Sequence, residues 1–192
     1  MKNNNIEKIE SQGKIYHFLG DKRLISVSAL TKLFIKKIYL TTPTYILDKA
    51  RESGELIHEN IKDFATKIDT VALPTTKEFY TWYAKNIQND SIICFEKEVS
   101  NNIFIGYIDI ELEKSFIELK TRSTDELDFE TVLQCEIYKR LINKPYHIVN
   151  INRKTNKVTE LKPTDKQIKA TNDLIDRFIE FYNLYYFAKE HK

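Results

Sequence analysis

The chain has 192 residues, with 30 Lys and Arg against 28 Asp and Glu, a formal net charge of +2, and 42% hydrophobic residues. That balance suits one globular domain over 1–192 with a sizeable core, and it excludes a disordered chain or a membrane span of ~18 apolar residues. Two cysteines, four histidines and four scattered glycines give no disulfide scaffold, H-E-x-x-H helix, dinucleotide fingerprint, P-loop or G-x-S-x-G elbow, so zincin, nicotinamide, P-loop and serine-hydrolase chemistry have no support.

The opening MKNNNIEKIESQGK has no apolar run behind its lysine, so a secretory leader is not expected and a reducing, cytoplasmic setting is the default. Residues to about Ile25, with Gly13, Gly20 and the apolar run 15–19, predict a β-hairpin. Ser28 is placed as the cap of a helix to about Ile38. Pro43 precedes a long helical pattern to about Ile68, where Ile57, Ile61, Phe64 and Ile68 form one stripe. A helix starts near Pro74 and carries Phe79, Trp82 and Tyr83. Alternation over 91–99, 102–112 and 115–121 predicts three strands. A helix over Phe129 to Ile142, strands at 146–152 and 157–161, and a helix from Thr164 to about 190 complete the chain. The organisation is an N-terminal hairpin with helices over about 1–88, a core over about 89–162, and a C-terminal helix. Strands enclosed by helices imply an α/β or α+β fold, a mixed central sheet covered on both faces.

The segment 102–121 carries the chemistry. A turn at Glu113-Lys114 sets Ile110 opposite Ile117, Asp109 opposite Glu118 and Tyr107 opposite Lys120. Side chains alternate between faces, so Phe104, Gly106, Ile108, Ile110, Ile117 and Leu119 are expected on one core face. Asp109, Glu118 and Lys120 fall on the other. Opposed like charges destabilise a sheet. Either this is a solvated face with Lys120 as counter-charge, or a hard divalent cation takes the carboxylate oxygens at ~2.1 Å and keeps waters for chemistry.

Gly106-x-x-Asp109, then Glu118-x-Lys120, then Gln134-x-x-x-Tyr138, with His58 upstream in Gly54-Glu55-Leu56-Ile57-His58-Glu59, resembles the PD-(D/E)XK nuclease superfamily. More narrowly it is similar to the branch of RecB-type domains and CRISPR-associated, phage and mitochondrial exonucleases. The stretch FLGDKRLISVSALTKL (18–33) is similar to the start of phage members, and the resemblance runs from about 15 to 152. It implies a restriction-endonuclease-like sheet and one or two Mg²⁺ or Mn²⁺ ions held by His58, Asp109, Glu118 and the Leu119 carbonyl. Lys120 would orient or deprotonate the attacking water. Gln134 and Tyr138, one turn apart, would face the site with Asp109, Glu118 and Lys120. Glu96 resembles an acidic position beside it, and Gly54 would leave room for another backbone or for DNA. Ile108 stands where relatives often have proline. The cysteines that hold an iron–sulfur cluster in some relatives are absent, so no cluster is expected.

The function implied is a metal-dependent deoxyribonuclease, an exonuclease on single-stranded or end-bearing DNA in replication, recombination or repair. It would work in the cytoplasm of a bacterium or a phage-infected host. The partner expected is DNA, not a membrane, and nothing points to a particular protein. The alternatives are a non-catalytic DNA-binding or recombination module and a structure-specific endonuclease of the same fold. Lys36 (with Lys32 and Lys37), Arg51, Thr121, Arg122 and Ser123 are candidate phosphate contacts; for any single lysine a solvated face is the commoner reading. Aromatics at 79–83 and 178–186 could stack bases, although their helical spacing is commoner in a core.

Overall fold

The computed structural model describes residues 6–11, 13–34, 42–67 and 69–190. Lys36, Lys37, Ile38 and Ile68 of the sequence reading lie outside them.

Strands β1 (Ile6–Ser11), β2 (Lys14–Leu19) and β3 (Lys22–Arg23) make a small antiparallel sheet. The two-residue β4 (Ile25–Ser26) leads into α1 (Val27–Thr31) and a 3₁₀ turn (Lys32–Phe34). Ser26, not Ser28, caps α1, accepting from the Ala29 N–H at 3.4 Å. The reason lies in a distant strand contact: Ile25 donates to the Ile103 carbonyl at 2.7 Å, and this pairing keeps Ser26 extended, as an N-cap must be. Helices α2 (Thr44–Thr66) and α3 (Pro74–Asn86) follow, then β5 (Ile92–Ser100), β6 (Phe104–Leu112), β7 (Phe116–Arg122), α4 (Phe129–Ile142), β8 (Tyr146–Asn152), β9 (Val158–Leu161) and α5 (Asp165–Glu190).

The main sheet is mixed and six-stranded. One edge of β6 pairs antiparallel with β5. Its other edge is divided. Ile110 and Glu111 pair with Ile117 and Phe116 of β7, whereas Phe104 and Ile105 pair in parallel with β4. The β7–α4–β8 crossover makes β7 and β8 parallel, and β9 closes the edge antiparallel to β8. Helices cover both faces, as an α/β sheet of this kind requires. Among the described residues no helix is long and apolar enough to cross a membrane.

The expected single core face of the hairpin is corrected. Ile110, Leu112, Ile117 and Leu119 pack under α2 and α3 with Ile57, Ile61 and Phe79. Phe104 and Ile108 pack in the opposite layer with Leu133, Ile137 and Tyr138 of α4 and Ile175 of α5. The even-numbered side chains of β6 therefore change layer around Asp109. The facing residue, Glu96, flanked by the pairs Phe95–Ile110 and Lys97–Ile108, has φ of +52°. A left-handed residue inside a strand kinks it locally.

Candidate functional site

The β6–β7 turn is held from outside. Asp90 accepts from the Lys114 N–H at 2.7 Å and from the Ser115 hydroxyl at 2.6 Å. The register is the expected one, Ile110 opposite Ile117, but the ladder stops there. Beyond it β6 turns toward β4, and the two strands part.

Asp109 sits in this fork. Its Oδ2 accepts from the Leu119 N–H at 2.7 Å, replacing the carbonyl that a continued ladder would have supplied. A strand residue presents its N–H and C=O on the same edge, so the Leu119 carbonyl opens on the same gap. Glu118 and Lys120 flank Leu119 and face α4. Lys120 Nζ lies 2.6 Å from Glu118 Oε1 and 3.1 Å from Gln134 Oε1. Gln134 Nε2 donates to the Tyr138 hydroxyl at 3.3 Å, which also accepts from the Tyr107 N–H at 3.2 Å. Gly106 makes this possible: a Cβ there would stand 2.6 Å from Tyr138 Cε1.

The other wall comes from α2. Ile57 and Ile61 are buried on the sheet, and at Gly54 the helix backbone meets β7. A Cβ at 54 would stand 2.6 Å from Thr121 Oγ1. The space left by this glycine is thus taken by β7, not by DNA. One turn later His58 Nδ1 comes to 3.7 Å from Asp109 Oδ1. Another turn on, Lys62 Nζ pairs with Glu96 Oε2 at 2.5 Å, beside the fork.

Burial pushes Asp109 up to about 6. Burial, reinforced by the Asp109 charge, pushes Glu118 up to about 7. Burial also lowers His58. It works against the Lys120 charge too, but Glu118 and Asp109 outweigh it and hold the ammonium above its ordinary range. Burial raises the Tyr138 phenol, with the Glu118 charge adding to it. Glu118 is 1% exposed, and its Oε2 has no hydrogen-bond partner. An unpartnered buried carboxylate oxygen is costly, and a cation is the partner that satisfies it.

Among the described residues no three His, Cys, Asp or Glu side chains converge closely enough to hold a metal by themselves. The donor chemistry does fit a hard divalent ion: two carboxylates, a carbonyl and an imidazole of lowered basicity. The free Oε2 of Glu118 is the observation that favours the fit.

The expected phosphate contacts divide. Arg122 is committed to the fold: Nη2 meets Asp128 Oδ2 at 2.7 Å and Thr131 Oγ1 at 2.6 Å, and Nη1 meets the Glu126 carbonyl at 3.1 Å. It ties down the start of α4, where Asp128 caps Thr131. Thr121 is engaged beneath Gly54. Ser123 is exposed and its carbonyl accepts from the Asn152 amide at 3.3 Å. Arg51 is exposed beside Glu55 at 3.3 Å. Phe79, Tyr182 and Tyr186 are core residues.

Sequence reasoning missed Asp90, Lys62 and Asn150. Asn150 is fully buried, pairs in register with Lys120, and donates to the Thr124 carbonyl at 3.0 Å and Asp125 Oδ1 at 2.7 Å. It lashes the β7–α4 loop, which sets the reach of Gln134. A polar residue inside the apolar run 148–151 was the available signal. Beside the fork a pocket of about 200 Å³ opens between His17, Ser26, Ser28, Tyr107, Gln134 and Tyr138.

No family model matches the chain, and no curated protein matches it. Among solved structures the crystal structure of SSO0001 is similar at 17% identity and a TM-score of 0.35, covering 81% of this chain and 76% of that one. A likeness of this depth carries no argument about function.

Proposed function

We propose that the chain is a divalent-metal-dependent deoxyribonuclease of the PD-(D/E)XK type, acting as an exonuclease on single-stranded or end-bearing DNA. One observation carries the reading: the buried, half-satisfied Glu118 lies between Lys120 and the Asp109–His58 pair at a fork in the sheet. Asp109, Glu118, His58 and the Leu119 carbonyl would hold the ion. When bound, it would polarise the scissile phosphate and acidify a water.

The remaining work falls to the chain's own groups. Lys120 stands where its ammonium can orient the attacking water and offset charge building on the phosphoryl oxygens. Gln134 keeps a hold on Lys120 Nζ while Glu118 turns to the ion, so the ammonium does not swing away. Tyr138, locked under Gly106, fixes Gln134 in turn. The exonuclease assignment rests on the resemblance of the ordered motifs.

The test is cleavage of labelled oligonucleotides with Mg²⁺ or Mn²⁺, comparing wild type with Asp109→Ala and Lys120→Ala. Loss of cleavage in both variants is expected, and equal activity in all three ends the proposal. Linear against circular single strands separates exonuclease from endonuclease. The second reading is a non-catalytic DNA-binding module in which Lys120 serves Glu118 as its counter-charge. Calorimetric titration decides between them: no divalent binding at millimolar concentration selects the second.

A further inference from the structure

Beside the fork, Asn150 and Lys120 have complementary deficits. Asn150 is fully buried, and its Nδ2 donates to the Thr124 carbonyl at 3.0 Å and to Asp125 Oδ1 at 2.7 Å. Both partners are acceptors, so turning the amide over would set its oxygen against a carbonyl and a carboxylate. Oδ1 is thereby aimed away from the loop, and it is buried without a partner. A buried amide oxygen left unpaired is costly. Lys120 has the opposite surplus. Its ammonium carries three N–H donors, and Glu118 Oε1 and Gln134 Oε1 are the two acceptors that meet it among the described residues.

The register brings the two together. Lys120 pairs with Asn150 in the parallel β7–β8 ladder, as Glu118 pairs with Ile148. Paired residues point to the same face of a sheet, and residues two apart on a strand share a face. Ile148 packs with Cys135 of α4, which places Asn150 on the α4 face with Glu118 and Lys120. Adjacent strands lie ~4.8 Å apart, a gap that the flexible stem of a lysine spans. Thr159, paired with Asn150 on β9, is the competing donor, since its hydroxyl is also buried without a partner. A hydrogen bond from an ammonium is roughly twice as strong as one from a neutral hydroxyl, so the free oxygen selects Lys120.

We infer that Asn150 is a positioning residue for Lys120: when the Glu118 carboxylate turns to a cation, the ammonium transfers its hold to Asn150 Oδ1 and is fixed between that oxygen and Gln134. Lys120 then stays at the fork instead of following Glu118. Anchoring of the β7–α4 loop through Nδ2 and placement of the lysine through Oδ1 are separate roles of one side chain. The catalytic meaning rests on the nuclease reading of the fork, whereas the placement of the ammonium does not.

The first measurement needs neither metal nor DNA. In a crystal structure of the full chain carrying Glu118→Ala, Lys120 Nζ is expected within ~3.0 Å of Asn150 Oδ1, with the Gln134 contact kept. An Asn150 Oδ1 satisfied by Thr159 or by water, with Nζ directed elsewhere, overturns the inference. The second measurement compares cleavage by Asn150→Leu, which removes the oxygen and both loop contacts, with Asp125→Ala, which removes a loop contact only. Leucine has nearly the shape of asparagine, and the Thr124 and Asp125 that it abandons are exposed, so the variant should fold. In Asn150→Leu kcat should fall about ten-fold or more, the scale of one lost hydrogen bond to a charged group. KM should hold, because a fully buried side chain does not touch the substrate. Asp125→Ala should keep kcat near the wild-type value. Equal losses in the two variants would mean that Asn150 acts through the loop alone, which overturns the inference. If Glu118→Ala fails to fold, this kinetic comparison decides. A wild-type chain that does not cleave removes the nuclease reading and leaves the distance to decide Asn150; cleavage with the wrong distance removes the role of Asn150 alone.

Discussion

Gly54→Ala gives a sharp test of how α2 is seated. The added Cβ would stand 2.6 Å from Thr121 Oγ1, and the next atom, Thr121 Cβ, is at 3.8 Å. Two opposed effects follow. Alanine in a helix interior gains about 1 kcal/mol over glycine. Forcing a methyl group against a packed neighbour costs about 1–3 kcal/mol. In the wild-type background the net is a loss of roughly 0–2 kcal/mol. In a Thr121→Ala background the near atom is gone and 3.8 Å is ordinary contact, so the same substitution should stabilise by about 1 kcal/mol. The change of sign is the prediction. Urea denaturation of the four proteins measures it, and the coupling should be about 1–3 kcal/mol, well above the ~0.5 kcal/mol expected of independent sites. Because His58 lies one turn beyond Gly54, divalent affinity should drop in the single variant and return in the double. Equal effects of Gly54→Ala in both backgrounds would refute the reasoning.

Three further outcomes follow from the geometry. Asp109 and Glu118 hold their protons up to about 6 and about 7 in the folded chain, whereas the unfolded chain releases them near 4. The native state binds the extra protons in this window, so metal-free stability should fall as pH rises from ~4 to ~7, by on the order of 3 kcal/mol per group, and level off above. Glu118→Gln should remove its share in urea titrations across that range, and an unchanged pH profile would contradict the assignment. Gly106→Ala drives a Cβ to 2.6 Å from a buried tyrosine ring and should cost about 1–3 kcal/mol by thermal or urea unfolding; wild-type stability would mean that Tyr138 is not fixed there. Lys144 and Lys97 hold the buried Glu111 at 2.8 and 2.5 Å. Lys144→Met should therefore destabilise by about 3 kcal/mol while divalent titrations stay unchanged, and a shift in metal affinity would show that this cluster is part of the site.

Much of the fold was legible because its signals are local. Period-two alternation located β5 to β7, Pro74 marked the start of α3, and the polar pair 113–114 fixed the register that brings Asp109 and Glu118 to one fork. The i, i+4 spacing of Gln134 and Tyr138 put both side chains on one side of α4, and the family resemblance pointed that side at the site. What escaped depends on contacts far apart in sequence. Alternation on β6 reads as one core face only if the other face is wet; here helices cover both, and the strand changes layers at Asp109. Ser26 and Ser28 are locally equivalent caps, and only the pairing of Ile25 with the Ile103 carbonyl decides between them. Arg122 reads as a free cation until Asp128 and Thr131 are folded back on it. Asp90 gives no local sign that it will grip a turn more than twenty residues later.

Glu96 shows what the fork costs its own scaffold. A glutamate held at positive φ within a strand gives up on the order of 1 kcal/mol that glycine would not. Glu96→Gly should therefore make a sturdier protein that has lost the anion facing Lys62. Selection for thermostability alone would drift toward that exchange, whereas under the proposed nuclease reading a library sorted for both folding and cleavage would keep the acid.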